Sequence, residues 1–179
     1  MRCFVAAFLT PASAVELHSA FRAVYPEDES ALPQARMRRV PLDNYHVTLK
    51  FIGEAAEADL PALLGAVADL PGGNDRTGTI VTEMRRFVGF PRPAAARMAV
   101  GELPPDLRLQ TWASELEAAL GASDRAFRPH VTVARFRRPV AFPVTELDRP
   151  LCLELQLPAL YRSEQTGSGV RYRRVTAAP

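Results

Sequence analysis

The positions of apolar and polar residues along the chain predict an alternation of strands and helices. Apolar residues spaced three and four apart are typical of a helix face, and short runs rich in Val, Phe and Ala are typical of strands. The predicted strands cover 2–9, 45–52, 79–88, 95–100, 130–136, 151–157 and 169–175, and the predicted helices cover about 14–24, 60–67 and 105–120. Polar stretches at 25–38 and 71–75 indicate a surface loop and a turn, and a polar connection is expected between the last two strands.

The order of these elements predicts an α+β fold. Strands and helices come in mixed order with several hairpin-like strand pairs, which favours a largely antiparallel sheet over a doubly wound parallel one. No linker divides the chain, so we expect residues 1–179 to form a single domain.

Composition excludes several classes of protein. The 179 residues are 47% hydrophobic and 23% charged, which is ordinary for a globular domain that needs no disulfide or metal to hold its core. Cys3 and Cys152 lack any CxxC-type spacing. Charge or proline interrupts every apolar run before it could span a bilayer, and the apolar start of the chain is predicted to be a strand. We therefore expect a cytoplasmic monomer that does not bind membranes.

The charge balance excludes a polycation built for long nucleic acids. The chain has 22 Lys and Arg against 20 Asp and Glu, a net charge of +2. Almost all of the cations are arginines, since Lys50 is the only lysine. Codon bias in a GC-rich genome explains this, and so does a need for guanidinium forks that bind phosphate.

One short pattern occurs twice. The sequence reads NYHVTLKF at 44–51 and RPHVTVARF at 128–136, so His-Val-Thr followed by an apolar residue is repeated. Because side chains alternate between the two faces of a strand, His46 and Thr48 share one face, as do His130 and Thr132. The apolar residues between them are expected to face the core.

Two such units, related by an approximate two-fold symmetry, would surround one small anion with two imidazoles and two hydroxyls. A neutral imidazole takes a proton from a nucleophile, and a protonated one gives a proton to a leaving oxygen. Histidine is the side chain whose ordinary pKa allows both forms near neutral pH. Threonine hydroxyls donate hydrogen bonds to phosphate oxygens. The repeat therefore predicts acid–base chemistry at phosphorus.

Other interpretations of these residues involve no chemistry at phosphorus. A single His-Val-Thr is typical of a half-buried histidine bonded to the backbone, although the duplication argues against that. A metal site would need a third ligand, and neither HExxH nor a cysteine pair is present, so no metal is expected. His18 falls in a helix pattern as a core-edge or surface residue. Lys50 is predicted on the face of His46 and Thr48, adding positive potential there or lying in solvent at the strand end.

At these motifs the chain resembles the two-histidine (2H) phosphoesterases, and most of all their RNA 2′,3′-cyclic phosphodiesterases, once described as 2′-5′ RNA ligases. The resemblance covers nearly the whole chain. Its segments are RCFVAAFLTP at 2–11, VPLDNYHVTLKFIGE at 40–54, FRPHVTVARF at 127–136 and LYRSEQTGSGVRYRRV at 160–175. The last is similar to the family ending L-x-x-S-x-x-x-x-x-G-x-x-Y.

The resemblance implies a bilobal, pseudo-two-fold α+β fold with mostly antiparallel sheets, outer helices and a central cleft. It also implies hydrolysis of a 2′,3′-cyclic phosphate on RNA ends or oligonucleotides to a 2′-phosphomonoester, without metal or cofactor. By position, His46 would protonate the leaving ribose oxygen and His130 would activate water. Thr48, Thr132 and Arg135 would bind the phosphate. Strict alternation puts Arg135 on the wrong face, so its role requires a bulge or the end of the strand there, and without either it is a surface arginine.

The chain also departs from the family pattern. Arg39 stands where many relatives carry an aromatic residue, and Met98 or Ala99 stands where many carry tryptophan. Both differences concern how a base or second nucleotide is held. Three aromatic residues are candidates for stacking a base or for the core; they are Tyr45, Phe90 and Phe136. Arginine-rich stretches at 36–39 and 125–138 are predicted to steer polyanions or simply to be solvated surface.

The sequence leaves other activities open. The same chemistry could act on a 2′-5′ oligonucleotide or a small cyclic nucleotide, with weak reverse RNA ligation. A chain with this fold could also be a non-catalytic module that binds RNA or nucleotides.

Overall fold

The computed structural model describes residues 1–26, 37–71, 78–167 and 169–176. Within these residues, helices and strands follow one another in the mixed order that the sequence predicts. The helices are α1 (Pro11–Val24), α2 (Leu60–Ala68) and α3 (Leu107–Leu120), and the strands are β1 (Arg2–Phe8), β2 (Met37–Arg39), β3 (His46–Glu54), β4 (Thr79–Phe90), β5 (Ala96–Glu102), β6 (His130–Val140), β7 (Thr145–Gln156), β8 (Ala159–Thr166) and β9 (Gly169–Arg174). Their pairings are antiparallel, which confirms the α+β class.

The strands form one sheet in the order β7-β4-β5-β6-β3-β1-β8-β9, with β2 added on β6. At its centre β3 and β6 meet where Val47 lies opposite Val131. This point divides the sheet into a β3 half (β3, β1, β8, β9) and a β6 half (β6, β5, β4, β7). A two-fold rotation about it exchanges β3 with β6 and β1 with β5, as the repeated motif predicts.

The helices cover one face of this sheet. On α1, Leu17 and Phe21 are fully buried and belong to the same apolar cluster as Phe87 of the β6 half. On α3, Leu109 and Leu116 are equally buried in that cluster. The opposite face carries no helix among the described residues and is called the cleft face below. No helix in the described ranges combines the length and apolarity that crossing a membrane requires.

Side-chain caps explain where two of the helices begin. Thr10 accepts a hydrogen bond from the backbone N–H of Ser13 at the start of α1. Asp106 accepts bonds from Arg108 and Leu109 at the start of α3, at 2.9 and 3.1 Å. These bonds satisfy N–H groups that lack a partner within the helix.

Two of the strands were not predicted. The polar connection between residues 157 and 169 contains β8, which pairs with both β1 and β9. Its apolar signal is short, because after Tyr161 it continues with charged and polar residues that face solvent on an outer part of the sheet. The predicted loop at 25–38 contains β2, while residues 27–36 of that loop and most of the turn at 71–75 lie outside the described residues. Several strands also extend past their predicted ends; β6, for example, reaches Val140.

Candidate active site

The four residues of the repeated motif meet at the centre of the cleft face. Because Val47 lies directly opposite Val131 in an antiparallel pair, His46 lies across from Thr132 and Thr48 across from His130. Val47, Val131 and Val133 are fully buried on the helix side, so the histidines and threonines point the other way. The structure therefore brings together the two imidazoles and two hydroxyls that the sequence predicts.

A backbone carbonyl two residues earlier orients each histidine. The Nδ1 atom of His46 is 2.7 Å from the carbonyl oxygen of Asn44, and that of His130 is 2.7 Å from the carbonyl oxygen of Arg128. A carbonyl can only accept, so Nδ1 carries the proton and donates it. In the neutral ring Nε2 is then the basic nitrogen, available for proton transfer. Sequence reasoning missed both carbonyls, although their equal spacing from the histidines is a signal that could have found them.

Aromatic rings hold each imidazole from the side. Phe8 stacks on His46 with centroids 4.9 Å apart and planes 22° apart, and Phe90 stacks on His130 at 4.6 Å and 22°. Tyr172 meets His46 edge-on at 5.1 Å. This tyrosine and its cross-strand neighbour Ser163 belong to the ending that resembles the family pattern. These contacts restrict ring rotation and partly exclude water.

Burial and nearby cations both disfavour a positive charge on the histidines. Burial, assisted by the charges of Arg135 and His130, lowers the pKa of His46 to about 4. Burial also lowers the pKa of His130, with smaller contributions from the charges of Arg128 and Arg135, while Glu102 acts in the opposite direction. Without an anion in the cleft, both rings are therefore neutral at pH 7.

A bulge in β6 brings Arg135 to the cleft face. Ala99 lies opposite Ala134 but Val100 lies opposite Thr132, so β6 has one extra residue at this point. The extra residue reverses the alternation. Arg135 donates from Nη1 to the sulfur of Met98 at 3.2 Å, and the Thr132 hydroxyl lies 3.9 Å from the same sulfur. The bulge that its predicted role requires is present.

The prediction that Lys50 shares the face of His46 is wrong, because β3 has a matching bulge. Ala6 lies opposite Thr48 but Val5 lies opposite Lys50. Lys50 is only 5% exposed, and its Nζ donates to the carbonyl of Gly121 at the end of α3 and to the hydroxyl of Ser123. The lysine therefore holds a helix end on the core side and adds nothing to the cleft.

The next residue of β3 breaks the symmetry of the cleft. Phe51 lies opposite Phe4, whose ring lies 5.3 Å from that of His46, and is 72% exposed. It holds the position that Arg135 holds in β6. The two strands thus carry different side chains at equivalent positions, the Arg135 cation on β6 and an exposed phenylalanine on β3.

The remaining candidates are divided between core and cleft. Tyr45 and Phe136 are buried at 1% and 6% exposure, so they belong to the core, while Phe90 is half-buried beside His130. His18 is also half-buried and shares a 3.1 Å hydrogen bond with the Tyr45 hydroxyl. Among the described residues, no group of three or more His, Cys, Asp or Glu side chains is arranged to hold a metal ion.

Comparisons with known proteins agree with this geometry. The family model "LigT like Phosphoesterase" matches residues 16–93. An RNA 2′,3′-cyclic phosphodiesterase of Aeropyrum pernix is 31% identical over 107 residues, which cover 56% of this chain. The match spans 58% of that relative's length.

Solved structures share the whole fold. E. coli LigT complexed with 3′-AMP has a TM-score of 0.76 at 23% identity, covering 98% of this chain and 95% of LigT. The protein TT0787 of Thermus thermophilus has a TM-score of 0.71 at 24% identity, covering 98% of this chain and 96% of its own. The matched family model and the curated relative thus make the chain similar in sequence to LigT-like phosphoesterases, and the solved structures show that it has the same fold as LigT.

Proposed function

We propose that the protein hydrolyses 2′,3′-cyclic phosphates at RNA ends or on nucleotides to 2′-phosphomonoesters, without a metal ion. The observation that carries the proposal is the pairing of Val47 with Val131, which sets two imidazoles with basic Nε2 atoms on either side of one point. The Aeropyrum relative, an RNA 2′,3′-cyclic phosphodiesterase, and the 3′-AMP complex of LigT support this substrate class.

The proposed step uses both histidines at once. His130 takes a proton from water while the water oxygen forms a bond to phosphorus. The bond from phosphorus to the ribose 3′ oxygen breaks, and His46 gives its proton to that oxygen. Thr48, Thr132 and Arg135 donate hydrogen bonds to the non-bridging oxygens, whose negative charge increases in the transition state. The product keeps the phosphate on the 2′ oxygen.

The lowered pKa values give substrate binding a second role. A neutral His130 is ready to act as a base, but His46 must be protonated to act as an acid. The negative charge of a bound phosphate favours the imidazolium form and raises the pKa of His46 in the complex. Substrate binding therefore favours the protonated form of His46 that the proposed step requires.

Hydrolysis of an oligonucleotide with a 2′,3′-cyclic phosphate end, in the presence of EDTA, tests the proposal. Phosphorus NMR should detect a 2′-phosphomonoester. Replacing His46 or His130 with alanine should lower kcat by about 10²- to 10⁴-fold, the usual contribution of a general acid or base.

The third histidine provides a matched control, since His18 lies on α1 and contacts Tyr45 in the core. His18→Gln should retain wild-type turnover. Loss of activity in only one of the two alanine variants would contradict paired acid–base chemistry. A 3′-phosphate product would show that the 2′ oxygen leaves instead.

A further inference from the structure

A second arginine points into the cleft beside Arg135. The short strand β2 pairs with β6 so that Arg38 lies directly opposite Arg135, and Arg39 lies opposite Ala134. Arg39 faces the helix side, where its guanidinium lies 5.2 Å from the ring centre of Phe21 and donates to the carbonyl of Tyr25. Neighbouring residues of a strand face opposite ways, so Arg38 faces the cleft.

This pair of like charges has no carboxylate to offset it in the described part of the chain. Other exposed arginines do have one: Arg86 and Arg128 pair with Glu102, and Arg162 pairs with Glu164. Like charges directly opposite each other on two strands are destabilising, so an anion between Arg38 and Arg135 would relieve a repulsion already present. Guanidinium groups suit this role because they bind phosphate through two parallel hydrogen bonds.

Arg38 lies where the two halves of the sheet approach each other. Its Nη2 would be 3.6 Å from a Cβ atom built on Gly169, in the turn between β8 and β9. Beside it, the side-chain amide of Asn44 donates to the carbonyl of Val170 at 2.9 Å, which holds this turn against the start of β3. The arginine pair is therefore at the His46 end of the cleft, one strand further out than the motif residues.

We propose that Arg38 binds the phosphodiester next to the cyclic phosphate that Arg135 contacts, so that the substrate is an oligonucleotide end and not a mononucleotide. The inference rests on the proposed function and narrows its substrate class. The two cations form a row that leads away from the position of the cyclic phosphate. Arg135 lies at the edge of the reacting group, and Arg38 lies one strand further out. A mononucleotide would leave Arg38 without an anion.

The test compares Arg38→Ala with the wild type on two substrates. One is a mononucleoside 2′,3′-cyclic phosphate, and the other is a dinucleotide that ends in the same group. The variant should raise KM for the dinucleotide about tenfold, as expected for one lost charge-assisted contact. It should leave KM for the mononucleotide and kcat for both substrates unchanged. Arg38→Lys keeps the charge but loses the forked guanidinium group. Its KM for the dinucleotide should lie between those of the wild type and Arg38→Ala.

A third substrate isolates the charge of the second phosphate. In a dinucleotide with a neutral methylphosphonate linkage, wild type and Arg38→Ala should have the same KM, because the contact is already absent. Arg22→Ala, on the exposed side of α1, removes one positive charge away from the cleft and should behave as wild type on all three substrates.

Two outcomes would overturn the inference. Equal losses on the mononucleotide and dinucleotide would assign Arg38 to the reacting phosphate, and no loss on either would make it a surface residue. Binding of the 2′-phosphorylated mononucleotide and dinucleotide, measured by calorimetry, keeps this test separate from turnover. If the wild type hydrolysed no cyclic phosphate, the proposed function would fail, and the binding ratio would still decide the role of Arg38.

Discussion

The two histidines occupy equivalent local environments that are built from different residues. Each Nδ1 donates to a carbonyl two positions back, and each ring stacks on a phenylalanine. Such second contacts determine which tautomer is present and limit how far the ring can turn. The imidazoles are therefore positioned before any substrate arrives, and in the proposed reaction this would reduce the entropy lost in reaching the transition state.

The pH dependence of the reaction should reflect the low pKa values of the free site. The dependence of kcat/KM on pH reports the free enzyme, in which the proposed mechanism requires one histidine to be protonated and the other neutral. Since the pKa values of both are below 6.5, we expect a bell-shaped profile with its maximum below pH 6.5. The maximum of kcat should lie at higher pH, because bound phosphate raises these values.

Replacing Arg135 provides a control for this prediction, because the charge of Arg135 helps to lower the pKa of both histidines. Arg135→Gln should move both limbs of the kcat/KM profile to higher pH, in addition to raising KM. Initial rates measured from about two pH units below 5 up to pH 8 cover both limbs and measure both effects. A kcat/KM maximum above pH 6.5 in the wild type would mean that burial does not control these groups.

At the scale of elements, the bulges in β3 and β6 decide what the cleft contains. Both occur one residue after the threonine, at Leu49 and Val133. In each case the bulge turns two consecutive residues toward the helices and returns the following residue to the cleft. The same backbone device therefore delivers Phe51 on one strand and Arg135 on the other.

Replacing Lys50 tests whether its side chain lies on the helix side of the sheet, as the β3 bulge implies. Lys50→Met should lower the free energy of unfolding by about 1–2 kcal/mol, because a cation that binds a helix C-terminus is lost. Its kcat and KM should remain those of the wild type. Urea unfolding and steady-state kinetics measure the two quantities, and a raised KM with unchanged stability would place Lys50 in the cleft after all.

At the scale of the whole molecule, the pseudo-two-fold arrangement combines two incomplete sets of residues, one from each half of the sheet, into one candidate site. Neither β3 nor β6 carries more than one histidine and one threonine of the site. Their union depends on a short contact at Val47 and Val131, while the buried core and the helices on the other face hold the two halves in place. The two half-buried histidines therefore link the proposed chemistry to folding.

This coupling predicts that stability falls in mild acid. Between pH 6.5 and about 4 the unfolded chain protonates these histidines while the native site resists the proton. The unfolded state binds more protons in this window, so the free energy of unfolding is highest above pH 6.5 and decreases as pH falls through it. Urea unfolding at several values from pH 7.5 to 5 measures the slope.

A double variant checks the origin of that slope. His46→Gln with His130→Gln should flatten the dependence over the same range, since glutamine does not titrate. An unchanged slope would assign the effect to other groups.

The sequence by itself determined the residues of the candidate site and the class of fold. Alternation along a strand is a local property, so the repeated His-Val-Thr already implied two imidazole–hydroxyl pairs on one face. Register, bulges and outer strands depend on partners distant in the chain, and only the tertiary structure decided them. It moved Lys50 to the core, brought Arg135 into the cleft, inserted β8 into the sheet and set Arg38 beside Arg135. One extra residue in a strand reverses every later side chain, and this cannot be read from a pattern that assumes strict alternation.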